Sequence, residues 1–386
     1  DRRRRLRTRG EAKRPAMMHV KIIDPSSRVR YETSVDLHLA LLALSLALAA
    51  VFALNLLLAP SRRVARAALA EKLGLLIIGV LHMFFSRDKA YKLSKQPDAD
   101  LLEQLMTEPM ASKRVILIRH GESLWNAVFN KSPMLLMPLR LARALAYEFL
   151  VLFELDSVLF DSPLSALGRS QARELAEYLA RARDSPLTLK LAQDAQRDIS
   201  AMAGATSSVV VSSMLRRAVS TAWIALEDRV RQRGPQEPMY LHSAMQEMSR
   251  NVDTLSIAAL RAAPALSVVN GDNMTVPNLA RCTSAQFNAG NKPVRAVALT
   301  RIAELAEWCH ARPEETIVLV GHSLLFRTLF QLYLPKKSEH VSKAKKVVNC
   351  GVVGFTLQQG KLPSGKTYYR IDPASITVVY GGFGGK

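Results

Sequence analysis

Val115-Ile116-Leu117-Ile118-Arg119-His120-Gly121-Glu122 is an uncharged run that ends abruptly in two basic side chains, a glycine and an acid. Four consecutive apolar residues, three of them β-branched, suit a strand buried on both faces. The same pattern recurs twice downstream. Val209–Val211 runs into Ser212-Ser213-Met214-Leu215-Arg216-Arg217, and Ile317–Val320 runs into Gly321-His322-Ser323. Helical periodicity fills the intervals at about 166–183, 215–233 and 295–310. Short apolar strands alternating with helices predict an α/β domain with a mainly parallel central sheet flanked by helices. In such sheets ligands bind outside the carboxyl ends of the strands, so two histidines and one or two arginines should converge there. Val352–Leu357 and Ile376–Tyr380 read as further strands at the end of the chain.

These residues resemble the histidine phosphatase superfamily, which includes the cofactor-dependent phosphoglycerate mutases. Four pieces carry the resemblance, in the family's order. They are Arg119 to Asn126; Ser162-Pro163-Leu164-Ser165-Ala166-Leu167-Gly168 through Ala172; Ser212-Ser213 to Arg217-Ala218 with Thr221-Ala222; and Val320-Gly321-His322-Ser323. The resemblance implies that His120 is a nucleophile that becomes phosphohistidine, a role open to a neutral imidazole. It implies that Arg119, Arg217, Asn126 and His322 hold the phosphoryl oxygens, where guanidinium forks and fixed donors match spreading negative charge. Arg216 is the alternative to Arg217, and the family register favours Arg217. The leaving oxygen needs a proton. By resemblance Glu247 supplies it, with burial beside phosphate expected to raise its pKa; Asp253 and Glu122 stand behind it. No metal or organic cofactor is expected. His38, His82, His242, His310 and His340 share no ligand spacing, and Gly321-His322-Ser323-Leu324-Leu325 lacks the second glycine of a serine-hydrolase elbow.

Two departures from the family pattern shape the functional reading. The mutases carry an Arg-His-Tyr-Gly segment after the acid, whereas Met248-Ser249-Arg250-Asn251 stands here. Phosphatase is therefore expected over a mutase-like phosphotransferase, and Arg250 is a candidate for a second acidic group of the substrate. Residues 127–161 form a long insert, with Met134–Phe160 rich in Leu, Phe and Met. It reads as a helix packed on the core or dipping into a membrane face, beside the substrate entrance.

Outward from the catalytic region, the composition turns basic and then apolar. The chain has 386 residues, with 53 Lys+Arg, 33 Asp+Glu and a formal net charge of +20. Its three cysteines, Cys282, Cys309 and Cys350, are too scattered for a disulfide scaffold or a thiolate zinc cluster. Residues 1–36, with eleven Lys/Arg and five Asp/Glu, read as a disordered basic tail. Aromatics are absent from residues 1–30, so no stacking platform for nucleic acid is expected. Residues 37–60 carry no charged side chain and predict a single transmembrane helix. Arginines flank that run on both sides, which leaves its orientation open. The free thiols favour a cytosolic catalytic domain. Leu73–Phe85 is short for a span and reads as interfacial, and 94–113, with Pro97 and Pro109, reads as a linker. The expected order is thus tail 1–36, membrane helix 37–60, interfacial segment and linker 61–111, and catalytic domain 112–386. The expected partners are a membrane and a phosphorylated small molecule or phosphoprotein. An inactive phosphate-binding membrane scaffold is the reading from outside enzymology.

Overall fold

The computed structural model describes residues 17–23, 30–36, 62–107, 110–184, 192–266 and 279–384, with Leu46 and Ala53 as isolated helical positions. The membrane helix expected over 37–60 lies outside the described residues apart from those two. The chain divides into two compact units, residues 1–65 and 66–386. In the first, β1 (Met17–Ile23) pairs antiparallel with β2 (Arg30–Asp36), Val20 opposite Thr33. This corrects the reading of 1–36 as a disordered tail throughout: Val20, Ile22, Ile23, Thr33 and Val35 are β-branched and favour extended backbone.

The second unit holds an eight-stranded sheet. Its strands are β3 (Ala111–Arg119), β4 (Ser208–Ser213), β5 (Met239–His242), β6 (Thr283–Phe287) and β7 (Thr316–Gly321), followed past the two-residue β8 (Lys346–Val347) by β9 (Val352–Lys361), β10 (Thr367–Ile371) and β11 (Thr377–Tyr380). The order is β10-β9-β3-β7-β4-β5-β6, with β11 also on β9. Strands β3, β7, β4, β5 and β6 run parallel, and β9 returns antiparallel on β3. The final β12 (Phe383–Gly384) pairs only with β8.

Both sheet faces are buried, as the unbroken apolar runs require. Ile116, Ile118, Val210, Val318 and Val320 enter one core, with the helices Ala166–Asp184 and Arg216–Ala225. Val115, Leu117, Val209, Val211, Ile317 and Leu319 enter the other, with Ala298–Ala311 and Ser323–Tyr333. Each fully buried aliphatic side chain contributes roughly 1.5–3 kcal/mol relative to exposure. Period-2 alternation thus assigns each strand's side chains to two cores.

The segment ahead of β3 departs from expectation. Arg62–Phe85 is one helix of 24 residues, longer than the apolar stretch 73–85. By length and composition it could cross a membrane, yet Lys72, Leu75 and His82 are buried. The expected linker is docked as well. Arg87 N donates to Val294 O, Tyr91 Oη meets Thr328 Oγ1, and Tyr368 Oη donates to the carbonyl of Ala99. The compact unit accordingly begins at Arg66 rather than at 112. In the insert, Met137–Leu150 forms a helix whose Ala144 packs with Val128 and Val158.

Candidate functional site

Register brings the two site histidines together. In the β3–β7 ladder Arg119 stands opposite Gly321, so His120 and His322 leave adjacent parallel strands side by side. Their ring centroids are 5.0 Å apart. The His120 ring nitrogen Nδ1 lies 2.6 Å from Gly121 O. A carbonyl only accepts, so Nδ1 carries the proton and Nε2 keeps its lone pair. Burial, Arg217 and Arg119 together hold the His120 pKa well below the usual imidazole range. His322 is fully buried, its Nε2 is 2.9 Å from Ser213 Oγ, and burial followed by Arg217 likewise depresses its pKa. Its Nδ1 is buried without a hydrogen-bond partner among the described residues.

Beside His120 lies a pocket of about 240 Å³ that is lined by Arg119, His120, Asn126, Arg217, Glu247 and Asp253; His322 stands behind His120 and is not among the lining residues. The Arg119 Nη1 group donates to Val347 O at 2.8 Å, while its Nε has no partner among the described residues. Arg217 Nη1 donates to Asp253 O at 2.8 Å, and Nη2 stands 3.3 Å from Asp253 Oδ2. Arg216 faces elsewhere: it donates to the Asp161 carbonyl at 2.9 Å and pairs with Asp156, deep in the fold. Of the two, Arg217 lines the pocket and Arg216 does not. Asn126 lies in the first turn of Leu124–Phe129, capped by Ser123 Oγ, and its Oδ1 accepts from Asn130 Nδ2.

Both acids of the 247–253 loop reach the pocket. Glu247 Oε1 accepts from Met248 N at 2.8 Å and Leu325 N at 3.2 Å, and Oε2 from Leu324 N at 3.4 Å. Burial pushes the Asp253 carboxyl up to about 6 against the opposing pull of Arg217, and its Oδ1 has no partner among the described residues. Glu122 is committed elsewhere, with Oε1 accepting from Ser165 Oγ at 2.7 Å. Arg250 is exposed and does not line the pocket.

The model of the histidine phosphatase superfamily (branch 1) matches residues 181–364. That segment, a little under half of the chain, is what the superfamily model matches. It contains Arg217, Glu247, Asp253 and His322 but starts after Arg119 and His120, which the β3–β7 pairing adds to the site. Among solved structures, a mycobacterial glucosyl-3-phosphoglycerate phosphatase is 20% identical, with a TM-score of 0.32, over 67% of this chain and 97% of its own. A phosphoserine phosphatase from Entamoeba histolytica is 14% identical over 67% and 96%, with a TM-score of 0.27. A protein from Thermus thermophilus is 17% identical over 67% and 99%, with a TM-score of 0.26. No curated protein matches the chain.

Segments that look remote in the sequence explain one another in three dimensions. Gly168 and the 121–122 backbone touch: a Cβ on Gly168 would stand 2.0 Å from Glu122 O, and one on Gly121 2.5 Å from Gly168 O. Thr221 Oγ1 accepts from Gly121 N at 3.1 Å and donates to Arg217 O at 2.7 Å, tying the turn after His120 to the helix that carries Arg217. Sequence reasoning missed three contributors. Lys89 and Lys346 line the pocket, and Asn349 Nδ2 donates to His120 O at 2.9 Å. It also missed buried Lys292, whose Nζ meets Asp88 Oδ2 at 2.6 Å and reaches the carbonyls of Glu247 and Ser249. A lysine in Asn291-Lys292-Pro293 and an aspartate beyond the apolar helix carry no local pattern that would announce their pairing.

Proposed function

We propose that this protein is a membrane-anchored phosphatase that hydrolyses a phosphate monoester through phosphohistidine on His120, with residues 37–60 as the anchor and the catalytic domain on the cytosolic side. The observation that carries this reading is the state of His120: neutral, with its Nδ1 proton committed to Gly121 O and its Nε2 lone pair available between two arginines. Nε2 attacks phosphorus, and the ester oxygen leaves with the P–O electron pair, taking a proton from Glu247. Arg119, Arg217, Asn126 and His322 bind the three phosphoryl oxygens, where charge spreads in the transition state. Water then attacks the phosphohistidine. Glu247 takes its proton, inorganic phosphate departs, and His120 is regenerated. No step needs a metal or an organic cofactor.

Asp253 is a second candidate for the proton donor, favoured by its raised pKa and unpartnered Oδ1. General acid catalysis is worth about 10²–10⁴-fold, so Glu247→Gln and Asp253→Asn separate the two by which one loses turnover of esters with poor leaving groups. The reaction class is tested with the full chain in detergent. p-Nitrophenyl phosphate turnover and an acid-labile labelled phosphoenzyme should both vanish in His120→Ala. Transfer of the phosphoryl group to an organic acceptor, stimulated by bisphosphoglycerate, would instead identify a mutase-like phosphotransferase. Phosphate binding without turnover or adduct would identify a scaffold.

A further inference from the structure

The helix Arg62–Phe85 wears its polarity inside out. Its buried stripe, Ala68, Lys72, Leu75, Gly79 and His82, repeats at three- and four-residue spacing and is mostly small or polar. Lys72 pairs with Glu148 at 3.4 Å and donates to the carbonyl of Val151, while His82 Nε2 lies 3.1 Å from Lys292 O. At Gly79 the helix comes so close that a Cβ would stand 2.8 Å from Val252 Cγ1. The outward face instead carries Ile77 (64% exposed), Val80, Leu81, Phe84 (70%) and Phe85 (66%). A helix on a protein in water turns its apolar stripe inward. This one turns polar and small residues inward and large apolar ones outward, which suits hydrocarbon as its solvent.

A second apolar row adjoins it. The Lys72–Glu148 pair joins this helix to Met137–Leu150, on which Leu139 (70% exposed) and Leu145 are bare, as is Leu135 (88%) in the turn Met134–Leu136 just before it. Contiguous apolar patches beyond roughly 300–600 Å² are rare on soluble monomers. The occupant is argued from the chain itself. Leu39–Ala59 carries no charge and ends three residues before Arg62, so a bilayer entered by that run lies within reach of the helix. Exposed Arg63 and Arg66 at the helix start and exposed Arg143 near Leu139 suit anionic headgroups. Both rows are also close in sequence to residues of the pocket. Phe85 is four residues ahead of pocket-lining Lys89, and Leu135 is five beyond pocket-lining Asn130.

We infer that this inverted face seats the domain in one bilayer leaflet and that the pocket takes a phosphate monoester carried on a membrane lipid. The substrate class rests on the phosphatase reading of the same pocket; the seating does not. The test uses the full chain in phosphatidylcholine vesicles containing phosphatidic acid, beside the variants Ile77→Ser/Phe84→Ser/Phe85→Ser and Leu135→Ser/Leu139→Ser. Turnover of phosphatidic acid should fall about tenfold or more, while turnover of soluble p-nitrophenyl phosphate stays within about twofold. A Phe84→Trp protein should be quenched by brominated lipid. Equal effects on both substrates, or no effect on either, would overturn the inference. So would absence of quenching, or serine variants that turn a dimer into a monomer, which would make the face a contact between copies. If the wild type hydrolyses neither substrate, the phosphatase reading and the lipid substrate fall together, and quenching still decides the seating.

Discussion

Replacing Lys292 by Met should loosen the loop that presents Glu247. The Lys292 side chain is wholly buried, and its Nζ lies 2.6 Å from Asp88 Oδ2, 2.5 Å from Glu247 O and 2.8 Å from Ser249 O. Methionine fills similar space but donates nothing. Each carbonyl left without its partner costs about 1–3 kcal/mol, and removing one member of a buried ion pair costs about 3–5 kcal/mol. Two features reduce that sum. Asp88 keeps Arg301 at 2.7 Å, and the buried ammonium, pushed down to about 8 by burial, no longer has to be desolvated. A net loss of about 3 kcal/mol follows, worth about 6 °C or somewhat less in Tm for a unit of this size. Displacing the Glu247 backbone by about 1 Å should lower kcat by up to about 10²-fold with KM little changed. Thermal denaturation followed by tryptophan fluorescence, with p-nitrophenyl phosphate kinetics, reads both effects. A cycle with Asp88→Asn should give a coupling of about 1–3 kcal/mol. An unchanged Tm, or a coupling below about 0.3 kcal/mol, would refute the role assigned to this pair.

Other residues give sharper readouts of single contacts. Asp253 titrates at about 6 in the folded protein, so kcat/KM should fall as pH rises through about 6, where the carboxyl loses its proton and repels the phosphate dianion; Asp253→Asn should flatten that limb. The same raised pKa makes a stabilising contribution that is fully present below about 3.9 and lost as pH rises through about 6. Chemical denaturation of wild type and Asp253→Asn at pH 4 and 7 measures it. Gly168→Ala forces a Cβ to within 2.0 Å of Glu122 O; it should cost about 3 kcal/mol or more in denaturant unfolding and reduce phosphoenzyme formation through the Gly121 turn. Ser213→Ala removes the hydroxyl at His322 Nε2 and should lower kcat about tenfold, with a loss of about 1 kcal/mol in stability by thermal denaturation.

The parallel sheet and several of the polar side chains at its rim were legible in the sequence, because a strand buried on both faces must be apolar throughout and its polar terminus marks the rim. Val115–Ile118, Val209–Val211 and Ile317–Val320 needed only that reasoning, and His120, Arg217 and His322 stand where those runs end. Arg216 and Arg217 are adjacent and chemically identical, so composition could not divide them; Asp161 and Asp156, brought in by the insert, claim the first and leave the second to the pocket. Glycine spacing could not announce that Gly168 presses on Glu122, since a missing Cβ leaves no trace until the backbones meet. Apolar periodicity likewise could not orient Arg62–Phe85, which is hydrophobic around most of its circumference. Only the docking of Lys72, Gly79 and His82 against Glu148, Val252 and Lys292 decided which side faces the domain. Local sequence determines what an element buries and where its polar ends lie. Pairing between distant segments decides which identical charges meet, because hydrogen-bond and ion-pair partners are set by a register that no single stretch contains.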